Sequence, residues 1–180
     1  MEDIVSLDDI IAEARGMVNE RAASLEEISI RNTAKVLKAF AKYKVADYYF
    51  KATNGYAYSD VGRENLDKIY AEVFGAEAAL VRTQFVSGTH ALAVALLGVL
   101  RTGDEVLGVT GAMYDTMQTV IGHKKKVPGS LTDMGVQYSQ VDLDTQGRPD
   151  YEAIAAQVTA KTRLVMIQRS RGYTARPSLD

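Results

Sequence analysis

"QFVSGTHALAVALLGVL", residues 84–100, and "RTGDEVLGVTGAMYDT", residues 101–116, decide how this chain is read. In the first stretch, Ser87-Gly88-Thr89 stands directly ahead of an apolar run that continues to Leu100. A hydroxyl at that step can accept a bond from one of the unsatisfied N–H groups of a first helical turn. The apolar run behind it predicts a buried helix starting near Thr89. In the second stretch, Glu105 to Val109 reads as a strand. Thr110-Gly111-Ala112-Met113 is then a loop, and Tyr114 to Ile121 a helix. Helix, strand, loop and helix in that order form part of a crossover unit.

Downstream the alternation continues. Val136 to Val141 reads as a strand, Tyr151 to Val158 as a helix and Arg163 to Gln168 ("RLVMIQ") as a strand. Apolar strands separated by helices predict an α/β fold whose parallel sheet is covered on both faces. Upstream, Gly62 to Phe74 carries Leu66, Ile69, Tyr70 and Val73 on one helical stripe, and Gly75 closes it. Ala78 to Val81 reads as a short buried strand. Ser6 caps a helix with Asp8 and Asp9 in its first turn, and helical periodicity runs on in pieces to about Phe50. Residues 1–50 are therefore expected to form a helical arm ahead of a sheet domain at 51–180.

Composition narrows the function classes. With 180 residues, 47% of them hydrophobic, the chain is long enough for a real core. A net charge of −2 leaves no basic footprint, so nucleic acid is not an expected partner. The absence of cysteine excludes a disulfide framework, a thiolate zinc site and a cysteine nucleophile. Residues 1–11 carry acids and no basic n-region, and the apolar stretch Ala91 to Leu100 falls short of the roughly 20 residues that span a bilayer. A soluble, cytoplasmic protein with no membrane partner is expected.

Four groups of residues carry candidate chemistry. Ser87, Gly88 and Thr89 lie where a helix N-terminus meets the carboxyl edge of a parallel sheet. They serve either as a plain cap or as an anion cradle, in which backbone N–H groups and hydroxyls point at phosphate oxygens. They match neither the Walker A pattern nor G-x-G-x-x-G. Tyr114 reaches the same edge, either as a packed loop residue or as a ring that stacks on a planar heteroaromatic ligand. Tyr56, Tyr58 and Arg63 form either a phosphate or carboxylate clamp, or packing tyrosines beside an arginine paired with acids of its own helix. Arg169, Arg171 and Arg176 follow the last strand and suit an anionic substrate group or plain solvation. His90 and His123 lack metal-ligand spacing, so structural roles and no metal site are expected. Lys124-Lys125-Lys126 reads as a solvated loop.

The ordered pieces "YAYSDVGRENLDKIYAEVFG", "GAEAALVRTQFVSGTHALAVALLGVLRTGDEVL", "GAMYDT", "IQRSRGY" and "RPSL" resemble fold-type I pyridoxal-phosphate enzymes of the cystathionine-synthase branch. Within that branch the chain is similar to the aluminium-resistance or methionine gamma-lyase-like family, from about Asn32 onward. The resemblance implies a three-layer, doubly wound, mostly parallel sheet and pyridoxal 5'-phosphate as cofactor. It implies a lyase that breaks carbon–sulfur bonds in amino acids. Ser87, Gly88 and Thr89 match the loop that binds the cofactor phosphate, and Tyr114 matches the ring that stacks on the pyridine. Tyr58 and Arg63, with Tyr56 as the alternative to Tyr58, match a clamp reaching a neighbouring subunit's cofactor. A homodimer or homotetramer is implied. Arg171, beside Gly172, is the expected anchor for the substrate carboxylate.

The Schiff-base lysine and the aspartate facing the pyridine nitrogen lie beyond Asp180 in such proteins, and Lys124 to Lys126 are no substitute. The chain is expected to be the N-terminal part of a longer enzyme and to be inactive alone, with no catalytic residue of its own. Arg176-Pro177-Ser178-Leu179-Asp180 reads as the opening of a further helix. The competing readings are a non-catalytic, dimer-forming fragment and an aminotransferase of the same fold.

Overall fold

The computed structural model describes residues 6–53, 60–170, 172, 173, 175, 176, 178 and 179. They fall in two compact units, Met1–Thr83 and Gln84–Asp180.

The first unit is helical. Ser6 starts helix α1 (Leu7–Lys42) as anticipated, its Oγ accepting the Asp9 N–H at 3.1 Å. The periodicity read in pieces is one helix of 36 residues, which no proline interrupts. A single 3-10 turn follows at Asp47–Phe50. Helix α2 (Val61–Phe74) is capped by Asp60, whose Oδ1 accepts the Arg63 N–H, and is closed by Gly75 in the left-handed conformation at φ 64°. The end of α1 is tied to α2 by the Lys42–Glu72 ion pair and by Asn65 Nδ2 donating to the Tyr43 carbonyl at 2.9 Å.

The strand expected at Ala78 to Val81 is absent. That segment is irregular, and Leu80 is 61% exposed. Its backbone is claimed by a side chain instead of a sheet. Asp67 on α2 accepts the Val81 N–H at 2.7 Å and holds Arg82 in a two-point ion pair at 2.7 and 2.9 Å. Bonding from Arg82, then from the Val81 N–H, outweighs partial desolvation and holds the Asp67 carboxyl below its ordinary range.

The second unit carries the sheet. Helix α3 (Gly88–Val99) leads to strand β1 (Glu105–Gly108), then come α4 (Asp115–Ile121), β2 (Gln137–Gln140), α5 (Tyr151–Gln157) and β3 (Thr162–Met166). The strands are parallel in the order β2-β1-β3. A bulge between Glu105 and Val106 admits one extra residue of β3, so Val106 faces Leu164. Central β1 is buried throughout and is covered on both faces. Val106 joins Leu96, Leu100, Met113, Met117, Ile121, Leu131 and Val136, whereas Leu107 and Val109 pack with Val141, Ala153 and Ile154. The two-residue alternation of a strand divides the core in this way.

The expectation of a buried α3 holds on one stripe. Leu96 and Leu100 are buried, while Leu92, Val94, Leu97 and Val99 are 39% to 47% exposed. An apolar run does not say how many faces of its helix are covered. Lys124, Lys125 and Lys126 are exposed, as a solvated loop requires. Among the described residues, no helix is long and apolar enough to cross a membrane.

Candidate functional site

The site is built where helix and strand ends meet in the second unit. Ser87 leaves the chain extended at φ −160° and ψ 165°, and its Oγ accepts the His90 N–H at 3.1 Å. That bond satisfies one N–H of the first turn of α3. The N–H groups of Gly88 and Thr89 find no acceptor among the described residues. A Cβ built on Gly88 would meet nothing within 4 Å, so the space beside this first turn is open. His90 works locally, its Nδ1 accepting the Val86 N–H at 3.4 Å while its ring meets Phe85 edge-on. His123 lies against Tyr138 with ring centroids 4.9 Å apart.

Tyr114 comes to the same place from the loop after β1. Its hydroxyl lies 3.1 Å from Thr89 Oγ1, and Thr89 Oγ1 lies 3.2 Å from Thr116 Oγ1. The structure thus joins Thr89 and Tyr114 directly through their hydroxyls, and Thr89 also meets the hydroxyl of Thr116, a residue without a sequence signal of its own. The backbone N–H of Tyr114 donates to Gln168 Oε1 at 3.0 Å. Gln168 is also unanticipated, although a polar residue ending the apolar run "RLVMIQ" was its visible signal.

Of the expected clamp, only Arg63 is described. Tyr56 and Tyr58 lie outside the described residues. Arg63 Nε is 3.7 Å from Asp60 Oδ2, so it is paired with the cap of its own helix. Arg171 also lies outside the described residues. Its neighbours bond to nearby carbonyls: Arg169 Nε donates to Leu179 at 3.2 Å, and Arg176 Nη2 donates to Gln168 and Ser170 at 2.7 and 2.9 Å. Of the helix expected after Arg176, Pro177 and Asp180 lie outside the described residues, and Leu179 N–H donates to the Arg169 carbonyl. A cavity of about 530 Å³ opens beyond the ends of β1 and β2, between Thr110, Gly111, Ala112, Asp142, Asp144 and Arg176. No group of three or more metal-ligating side chains occurs among the described residues.

This arrangement has relatives. The sequence profile of the methionine gamma-lyase family matches residues 7–180. The chain belongs to the methionine gamma-lyase family. Its curated relatives include the uncharacterised protein YnbB of Bacillus subtilis (strain 168), 50% identical over 155 residues, which are 86% of this chain and 37% of YnbB. Among solved structures, a Listeria innocua protein provisionally named a cystathionine beta-lyase involved in aluminium resistance superposes with a TM-score of 0.90 at 42% identity. The match covers 98% of this chain and 43% of that protein. A carbon–sulfur lyase involved in aluminium resistance from Clostridium novyi NT superposes with a TM-score of 0.86 at 41% identity, covering 94% of this chain and 40% of that one. The chain therefore spans less than half the length of these family members.

Proposed function

We propose that this chain supplies the phosphate cradle and ring platform of a pyridoxal-phosphate-dependent carbon–sulfur lyase acting on sulfur amino acids. The contact between Thr89 Oγ1 and Tyr114 Oη carries the reading. It sets an anion-binding helix start and an aromatic ring into one cluster, at the carboxyl edge of a parallel sheet where ligands of such folds bind. The residues fit the group. Gly88 and Thr89 offer N–H donors and Ser87 and Thr89 offer hydroxyls to a phosphate, with open space where a Cβ on Gly88 would project. Tyr114 offers a ring face to a planar pyridine. When bound, the cofactor withdraws electrons from a carbanion at Cα of the amino acid, which permits elimination.

This chain's residues hold and orient. The α3 start fixes the phosphate, Tyr114 fixes the plane of the ring, and Arg171 takes the substrate carboxylate as a two-point partner. The sheet belongs to the three-layer doubly wound architecture, and Tyr56 or Tyr58 with Arg63 completes a neighbouring subunit's site in a homodimer or homotetramer. In that assembly Arg63 exchanges Asp60 for the neighbour's phosphate.

The test uses full-length protein purified with added pyridoxal phosphate. Cofactor retained through gel filtration, with thiol released from a sulfur amino acid, is the expected result. Failure to bind the cofactor overturns the proposal. Keto-acid exchange without thiol release would assign an aminotransferase instead.

A further inference from the structure

We infer that Gln168 is a positioning residue for the Tyr114 ring, holding it in register with Thr89 through one side-chain amide. The inference rests on the cofactor reading for its consequence, but not for its geometry.

Gln168 follows β3 by two residues and is anchored before its side chain does anything. Its backbone N–H donates at 2.9 Å to Oγ1 of Thr110, which is 2% exposed two residues past β1. Its carbonyl accepts from Arg176 Nη2. The amide then spans a gap. Oε1 accepts the Tyr114 N–H at 3.0 Å, and Nε2 donates to the Ser170 carbonyl at 3.0 Å. Both partners define which end is oxygen, since a flipped amide would set donor against donor and acceptor against acceptor.

Tyr114 needs such a partner. It is the residue before α4, with φ −62° and ψ 160°, so its own N–H lies outside the helix ladder while its carbonyl accepts from the Gln118 N–H. The long axis of Tyr114 is consequently held at two ends, by Gln168 at the backbone N–H and by Thr89 at the phenol, while packing against the apolar cluster sets the plane about that axis. With the Gln168 acceptor gone, the backbone end is released and the axis can tilt, carrying the ring face with it.

The experiment compares wild type, Gln168→Met and Gln168→Leu in full-length protein. Methionine is close in size and lacks the amide, and leucine is the second deletion should methionine misfold. The first measurement, hydrogen exchange at the Tyr114 amide, needs no cofactor. Exchange should quicken about tenfold in the methionine or leucine variant. The second is pyridoxal-phosphate affinity together with the ellipticity of the bound cofactor. Affinity should fall about five- to tenfold in the deletions, with altered ellipticity. Unchanged amide exchange in both deletions overturns the inference. Wild type that binds no pyridoxal phosphate defeats the cofactor reading, and amide exchange then decides the hold of Gln168 on Tyr114.

Discussion

Glu105 opens the central strand and is 8% exposed as a residue. It accepts Ser139 Oγ at 2.6 Å, Thr162 Oγ1 at 2.7 Å and Thr159 Oγ1 at 3.1 Å. One acid thus gathers hydroxyls from β2, from β3 and from the turn before β3. These bonds, Ser139 first and Thr162 next, outweigh burial and hold its carboxyl below the usual range. A carboxyl depressed by folding adds stability that is complete above its unfolded pKa and is lost as pH falls through the folded value. That loss begins below about pH 4.3, the ordinary glutamate value. Glu105→Ala should cost about 1 to 3 kcal/mol in urea unfolding at neutral pH, the range for losing a buried acceptor. The deficit should shrink as the pH is lowered past 4. A deficit independent of pH would mean that the carboxylate's charge is immaterial and only its volume counts.

At the scale of elements, termini are the places to test. Gly122 ends α4 at φ 80°, and a Cβ there would press on Ser130 and Thr132, with Ser130 Cβ at 2.8 Å. Gly122→Ala combines a left-handed backbone with a clash against a buried hydroxyl, so it should destabilise by about 2 kcal/mol or more. A thermal melt within one degree of wild type would contradict this. Ser87→Ala should cost about 1 kcal/mol through the lost cap of α3 and should weaken cofactor binding in full-length protein. Lost stability with unaltered cofactor affinity would confine Ser87 to capping. The helices and strands of the second unit were legible from period and punctuation, since apolar runs and glycine ends are local signals. The segment at 78–81 was misread because its fate depends on Asp67, a partner one helix away. Thr89 and Tyr114 could be placed on one sheet edge because topology alone sends them there. Gln168 could not, since its reach to Tyr114 depends on the bulged register of β3 on β1.

In the whole molecule, the two units are sustained differently. Ala39 is buried near the end of α1, whereas Leu7, Met17, Leu25 and Ile30 are exposed along it. In the 180-residue chain alone, amides early in α1 should exchange faster than those around Ala39, which hydrogen-exchange mass spectrometry can map. Uniform protection along the helix would show that something else covers it. The second unit is governed by its middle strand. Val106 pairs with Tyr138 on one side and Leu164 on the other, both far ahead in sequence. Loop closure must therefore precede the reward of pairing, which favours slow folding. During synthesis β1 leaves the ribosome with neither neighbour yet made, and it has to wait until Met166 has emerged before its second edge can be occupied. A ribosome pause between β2 and β3 would hold the nascent chain with one edge of β1 unpaired, a ready target for chaperones.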